Sequence, residues 1–397
     1  MNVERSFTML PVEEAARLQG GGPVSSRPYY DPEWWELERQ AIFLRTWLHI
    51  GHVCEVPEPG SFIRREVEFA GASLLIVRGR DGEIRTFRNT CAHRGTELVQ
   101  DREGKRSQFS CPYHRWTYGL DGRLVSAPDF ERFHVAKEDC SLKQVATEVV
   151  AGMIFVNFDP APEQGARDFF GPIAEAMEGL PVARATSFTE WTYEIEANWK
   201  LNFDNFQENY HLRFIHPRTG ASIIAKENPF GYPTHYGFCG PHRSQTLWKN
   251  PSPPPFPPTL LMAGMRGAEL AQKDGISFPK TDFKLFPCFH VVGLPPNLYT
   301  HTHMPLGPTR TRGQVRMYWT KESDCASRAF VREFSVMSVR DVLSEDRFAV
   351  EAGQRGISGI DRVHFQDHEV LLRHLYNEVE ARVQAYVAGR KAMGEAA

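Results

Sequence analysis

Two Cys/His pairs facing each other across 17 residues constrain this chain more than any other stretch. In CAHRGTELVQDREGKRSQFSCPYHRW, residues 91–116, Cys91 and His93 make one pair, and Cys111 and His114 the other. Four soft-to-borderline ligands at that spacing point to a metal site. Two thiolates and two imidazoles suit either tetrahedral zinc or a 2Fe-2S cluster in which two Cys hold one iron and two His hold the other. Structural zinc usually draws on C-x2-C and H-x3-5-H pairs, whereas here each half supplies one Cys and one His. A mixed cluster requires that arrangement, because each loop must give one ligand to each iron.

The run C-x-H-R-G, 17 residues, then C-P-Y-H-x-W-x-Y, followed by Asp121-Gly122-Arg123-Leu124, resembles the Rieske loop of the ring-hydroxylating oxygenase family. Arg115 departs from it, standing where the family most often has Gly, which bears on backbone shape and polarity beside His114. Respiratory Rieske proteins carry a further Cys after each ligand pair. Gly95, Thr96, Arg115 and Trp116 leave no such bridge here.

Composition narrows the class. A chain of 397 residues is long enough for two domains, or for one large domain with an insertion. A net charge of -3 and a pI near 6.6 argue against nucleic acid as a partner. The charged N-terminal stretch MNVERSFTMLPVEEAARL does not read as a signal peptide, and the absence of any run of 18 apolar residues argues against a membrane span. Seven Cys, an odd number scattered over the chain, read as reduced thiols of a cytoplasmic protein.

Local patterns predict the elements. A helix starts at Asp31 with Pro32 in its first turn and runs to about Trp47, with Trp34, Leu37, Ala41 and Leu44 as its apolar stripe. Short strands at 61–69, 73–77, 84–87 and 149–158 make a small antiparallel sandwich that carries the metal loops. A helix follows over 168–179. Residues 220–275 read as long loops, and 281–319 as antiparallel strands on which His290, His301 and His303 take exposed or hydrogen-bonded positions. An amphipathic helix over 365–387 ends the chain, with Leu372, Leu375, Tyr376, Val379 and Val383 on one stripe.

A second chemical centre lies in TYEIEANWKLNFDNFQENYHLRFIHP, where a helix from Asn198 must stop at Pro217. His211 and His216 are five residues apart, so a regular helix aims them about 140° apart. For both to hold one metal the helix must break or carry a π-type insertion. In this register N-W-K, D-N-F, E-x-Y-H and H-P resemble the mononuclear iron motif of the same oxygenase family. Non-haem Fe(II) takes two imidazoles and one carboxylate on one face. By resemblance the carboxylate is Asp346, in SVRDVLSEDRFAVEAGQRGISG, with Glu345 and Asp341 as competitors. Glu208, three residues before His211, shares its helix face. The resemblance gives it the role of accepting from His211 and reaching His114 of the partner subunit, although many relatives carry Asp at this position. Asn205 and Phe206, one turn earlier, are assigned to the pocket, with Phe214 and Phe289 as further aromatic candidates.

The resemblance implies an α+β chain: an N-terminal segment and helix (1–47), a Rieske β-sandwich domain holding a 2Fe-2S cluster (48–160), and a helix-grip-like catalytic domain with an antiparallel sheet and mononuclear Fe(II) (161–397). It further implies the terminal component of an oxygenase that uses O2 to hydroxylate or demethylate a small organic substrate, with electrons from NAD(P)H arriving through a separate reductase, with or without a ferredoxin. No Gly-rich dinucleotide fingerprint follows a strand here, so the reductase is a partner. A homotrimer or an α3β3 assembly is implied as well. The substrate reading is an aromatic or aromatic-acid compound. The alternatives are monooxygenation of a quaternary ammonium compound and, outside the enzyme class, a Rieske electron carrier or a zinc-stapled binding protein.

Overall fold

The computed structural model describes residues 7–392 except 218, 221, 222, 254, 256, 278, 279, 295 and 296. The chain divides into two units. One is continuous, Phe43–Phe169, and the other is made from Met1–Ile42 together with Phe170–Ala397. The segment set apart above as 1–47 therefore divides, and most of it packs with the C-terminal unit.

In the continuous unit, seven antiparallel strands form one sheet and three short strands another; some neighbours are hairpins, but 48–52 pairs with 153–156 and 86–87 with 144–145 across most of the unit. The 149–158 segment, read above as one strand, is a hairpin of Gln144–Val150 and Met153–Asn157. Its turn residues, Ala151 and Gly152, both have positive φ, at 51° and 75°. That is the backbone geometry that closes a two-residue hairpin with the right twist. Phe62, Leu75, Val77, Phe87, Phe109, Trp116 and Tyr118 make the core under the Cys/His loops.

The other unit is built on an eight-stranded sheet: β1 Thr8–Pro11, β2 Ser187–Ile195, β3 His235–Cys239, β4 His242–Gln245, β5 Thr281–Leu285, β6 Phe289–Leu294, β7 Asn297–Gly307 and β8 Arg310–Trp319. Their order is β1-β3-β4-β5-β6-β7-β8-β2, with every pairing antiparallel. Residues 220–275 are not only loop: they hold β3, β4 and the helix Pro258–Lys273. The prolines that suggested irregular chain end at Pro258, the first helical residue, where a missing N–H costs nothing.

The first long helix is capped as the sequence predicts, with the Asp31 carboxylate accepting from the Glu33 amide at 2.8 Å. It ends early, however, running as Pro32–Glu38 and then as a π-helical turn over Arg39–Phe43. Its buried face is Trp35, Glu38, Ile42 and Phe43, a different face from the predicted stripe. The cause is Glu38, which is fully buried: Oε1 accepts from Lys200 Nζ at 2.6 Å and Trp34 Nε1 at 2.8 Å, and Oε2 from Trp199 Nε1 at 2.9 Å. A carboxylate that finds three donors can face inward, and hydrophobic periodicity alone cannot anticipate it.

Candidate metal centres

Each Cys/His pair sits on a turn of the same design. The Cys91 amide donates to Thr96 O at 2.8 Å and the Gly95 amide to Cys91 O at 3.0 Å; the Cys111 amide donates to Trp116 O at 2.8 Å and the Arg115 amide to Cys111 O at 3.1 Å. Gly95 and Arg115 are equivalent, and both take the left-handed conformation, with φ of 74° and 58°. The backbone thus keeps the shape that Gly usually provides, at a strain of about 1 kcal/mol for the arginine.

Both thiols are buried, whereas His93 and His114 are half-exposed. The two imidazoles lie 4.6 Å apart between ring centroids, and His93 stacks on Trp116 at 4.9 Å. The Tyr118 hydroxyl is 3.2 Å from Cys91 Sγ and accepts from the Ala92 amide at 3.0 Å. Burial, with His114 alongside, lowers the pKa of His93 and so favours the neutral, ligating ring. Among the described residues these four do not converge on one point as the ligands of a single ion would, since the one set of three ligand atoms within 4.8 Å of one another lies elsewhere. Two thiols inside and two imidazoles at the rim fit a two-iron cluster better than one zinc.

That other set is His211, His216 and Asp346. The helix predicted from Asn198 breaks. Trp199–Asp204 is capped by the Asn198 side chain, which accepts from the Lys200 amide at 2.9 Å, and Leu212–Ile215 is a separate turn flanked by the two His. His216 leaves helical geometry, with φ -112° and ψ 53°, and so turns back toward His211. Asp346 lies on the 31-residue helix Ala326–Gly356. Gln354 of that helix accepts from the Asn198 amide at 2.7 Å, tying it to the start of the His-bearing segment.

Each imidazole has one nitrogen held by a carboxylate and presents the other to Asp346. His211 Nδ1 bonds Glu208 Oε1, while its Nε2 is 3.6 Å from Asp346 Oδ1. His216 Nδ1 is 2.8 Å from Glu345 Oε2, while its Nε2 is 2.8 Å from Asp346 Oδ1. Glu345, the nearest competitor to Asp346 in the sequence, thus orients His216 instead, steadied by the Thr219 hydroxyl at 2.7 Å. The second oxygen of Glu208 accepts from the His211 amide at 3.2 Å and from the Tyr210 amide. Burial alone would lower the pKa of His216, but Asp346 and Glu345 outweigh it and leave it raised. Asp346 Oδ1 is buried, and although His216 Nε2 lies 2.8 Å away, no donor meets it at hydrogen-bonding geometry. A buried carboxylate oxygen facing two ring nitrogens, all three within 4.8 Å of one another, is a donor set that fits Fe(II).

A cavity of about 260 Å³ opens beside Asp346, walled by Trp191, Tyr193 and Phe206, with Asn202, Arg340 and Arg347 also on its lining. Phe206 is placed as predicted. Asn205 is not part of the lining, and its amide nitrogen is buried without a partner. Phe214 is 64% exposed, and Phe289 is buried in the sheet. Behind the aromatic wall, His301 and His303 are fully buried, and of the two settings the alternation allowed they take the hydrogen-bonded one. His301 Nε2 is 2.8 Å from the Tyr193 hydroxyl, and His303 Nδ1 accepts from Asn202 Nδ2 at 2.8 Å. Burial holds both rings well below the usual histidine range, so they add no positive charge behind the cavity. Sequence reasoning missed Trp191, Tyr193 and Arg340 and had Glu345 only as a rival ligand, because their roles depend on strand and helix pairings no local signal reveals.

Among the described residues no helix is long and apolar enough to cross a membrane. Residues 182–385 match the family described as ring hydroxylating alpha subunit (catalytic domain), and residues 46–145 match the Rieske [2Fe-2S] domain. The glycine betaine monooxygenase oxygenase subunit of Chromohalobacter salexigens is 29% identical over 380 residues, covering 87% of this chain and 81% of that protein. The carnitine monooxygenase oxygenase subunit of Escherichia coli K12 is 30% identical over 241 residues, 59% of this chain and 63% of that protein. In fold, the chain matches the quaternary ammonium Rieske monooxygenase CntA in complex with substrate L-carnitine, with a TM-score of 0.70 and 24% identity, covering 93% of this chain and 99% of that one.

Proposed function

This chain belongs to the ring-hydroxylating alpha subunits of the Rieske oxygenases, and from that premise we propose that it is the oxygenase component of a quaternary ammonium monooxygenase. The observation that carries this reading is the aromatic wall of Trp191, Tyr193 and Phe206 beside Asp346. Aromatic faces attract a desolvated ammonium that cannot donate hydrogen bonds, and they leave its methyl groups free to face the metal site. Relatives that act on glycine betaine and carnitine support the same substrate class.

In this proposal Cys91, Cys111, His93 and His114 hold the 2Fe-2S cluster, and His211, His216 and Asp346 hold the mononuclear iron. The two groups supply electron transfer and O2 reduction. Glu208 and Glu345 fix the ring planes of the two iron-bound histidines. Tyr193, anchored on His301, and Phe206 set the position of the substrate and keep water from that side. The electron donor is a separate reductase, with or without a ferredoxin. The assembly is a homotrimer or α3β3, with Glu208 meeting His114 of the partner subunit.

The test is turnover of the iron-loaded protein with a reductase and NAD(P)H. A metal count of about three irons and two sulfides per chain should come first. Product formation coupled to NAD(P)H use with carnitine or glycine betaine, and none with benzoate, is the expected result. Oxidation of benzoate alone would restore the aromatic-acid reading.

A further inference from the structure

The cavity carries a charge that a simple ammonium substrate does not explain. Arg340, Leu343, Ser344 and Arg347 fall on one face of the helix Ala326–Gly356, and all four line the cavity. Arg347 is neutralised by Glu351 at 2.9 Å. Arg340 has no carboxylate partner among the described residues; its guanidinium lies over the Trp191 ring, 5.4 Å from the centroid. Among the described residues Asp346 is the one carboxylate on the lining, and it belongs to the metal site. A substrate with only positive charge would enter past an unopposed arginine. We propose that Arg340 is a specificity-determining residue that binds an anionic group of the substrate, which is therefore a zwitterion: a quaternary ammonium compound bearing a carboxylate.

The inference rests on the ammonium reading above and adds the second charge. The sign of the interaction selects the substrate, because the guanidinium attracts the carboxylate, offers it two parallel N–H donors and repels a lone cation. The geometry suits it. Arg340 precedes Asp346 by six residues, about 9 Å along the helix axis, which leaves room for a small molecule whose two charges are a few carbons apart. Trp191 occupies one side of the guanidinium and holds it at the cavity, leaving Tyr193 and Phe206 for the ammonium end.

The experiment is calorimetric binding to the full-length, metal-loaded oxygenase, comparing carnitine, glycine betaine, choline and benzoate, each with the wild type and with Arg340→Gln and Arg340→Lys. Arg340 is exposed at the cavity, so neither variant removes core packing. The wild type should bind at least one of the zwitterions about tenfold or more tighter than choline; Arg340→Gln should abolish that gap by weakening the zwitterion, and Arg340→Lys should restore part of it. Equal binding of choline and the zwitterions, or a gap that survives Arg340→Gln, would overturn the inference while leaving the ammonium reading intact. Failure of all three ammonium compounds to bind, with or without binding of benzoate, overturns the ammonium reading and the inference with it.

Discussion

The two metal centres are supported in opposite ways. The Cys/His loops stand on backbone hydrogen bonds within a few residues of each ligand and rest on an apolar core. The His211/His216/Asp346 centre draws on residues more than a hundred positions apart, and the elements around it are fastened by buried polar groups. Glu38 with Lys200, Asp204 with Tyr29, and Asp282 with Lys284 and His290 are all inside the C-terminal unit. A centre made of local turns tolerates change in distant parts of the chain. One assembled from distant parts depends on every strut.

Substitutions can sharpen this contrast, and the largest effect belongs to the assembled centre itself. His211→Ala or Asp346→Ala should abolish turnover, a loss of about a thousandfold or more, with the visible and EPR spectra of the cluster unchanged. Loss of the cluster signal as well would break the claim that the two are independently supported. Glu38→Ala leaves Lys200 as an uncompensated buried charge and should cost about 3–5 kcal/mol in denaturant unfolding of the C-terminal unit.

Asp204 provides a pH test. Burial pushes its carboxyl up to about 7, against the bond that the Tyr29 hydroxyl donates to it at 3.1 Å and the charge of Arg243. A carboxyl whose folded-state pKa is raised holds its proton more tightly when folded. Its contribution is therefore complete below pH 3.8 and is lost as pH rises toward 7. Asp204→Asn should remove that slope from a plot of unfolding free energy against pH, and an unchanged slope would refute the assignment.

Smaller effects follow. Glu345→Gln should weaken iron binding about ten- to a hundredfold in a chelator competition, with no effect on the cluster. Arg115→Gly relieves the left-handed strain but adds chain entropy when unfolded, so thermal stability should move by less than about 1 kcal/mol.

The same contrast explains what could be read before the fold was known. The cluster loops are legible because each ligand pair lies within one short motif, and Arg115 could be singled out although its conformation could not. The short strands around them follow from alternation, whereas the Ala151-Gly152 turn hides inside an apolar run. At the iron centre the sequence shows two His that a straight helix cannot bring together, but it does not show how the break occurs. Asp346 could be named only by resemblance, and the reason it faces the histidines while Glu345 stands behind one of them is the pitch of a 31-residue helix. On an alternating strand His301 and His303 read as exposed or hydrogen-bonded, and the pattern does not say which. They are buried because the segment carrying Phe203 and Phe206 covers that face, its rings meeting the imidazoles tilted or edge-on at 4.7 to 5.3 Å between centroids.

The division of the chain also sets an order of events during synthesis. The strand Thr8–Pro11 pairs with His235–Cys239, and Glu38 waits for Lys200, 162 residues later. At ribosomal rates of about 5–20 residues per second, that wait is on the order of ten seconds. The whole of Phe43–Phe169 emerges in the interval with all its strand partners in hand. Its sheets can close while the first forty residues are still without their partners, so a nascent chain stalled near residue 200 should protect the cluster-bearing strands from protease and leave the segment around Glu38 open to cleavage.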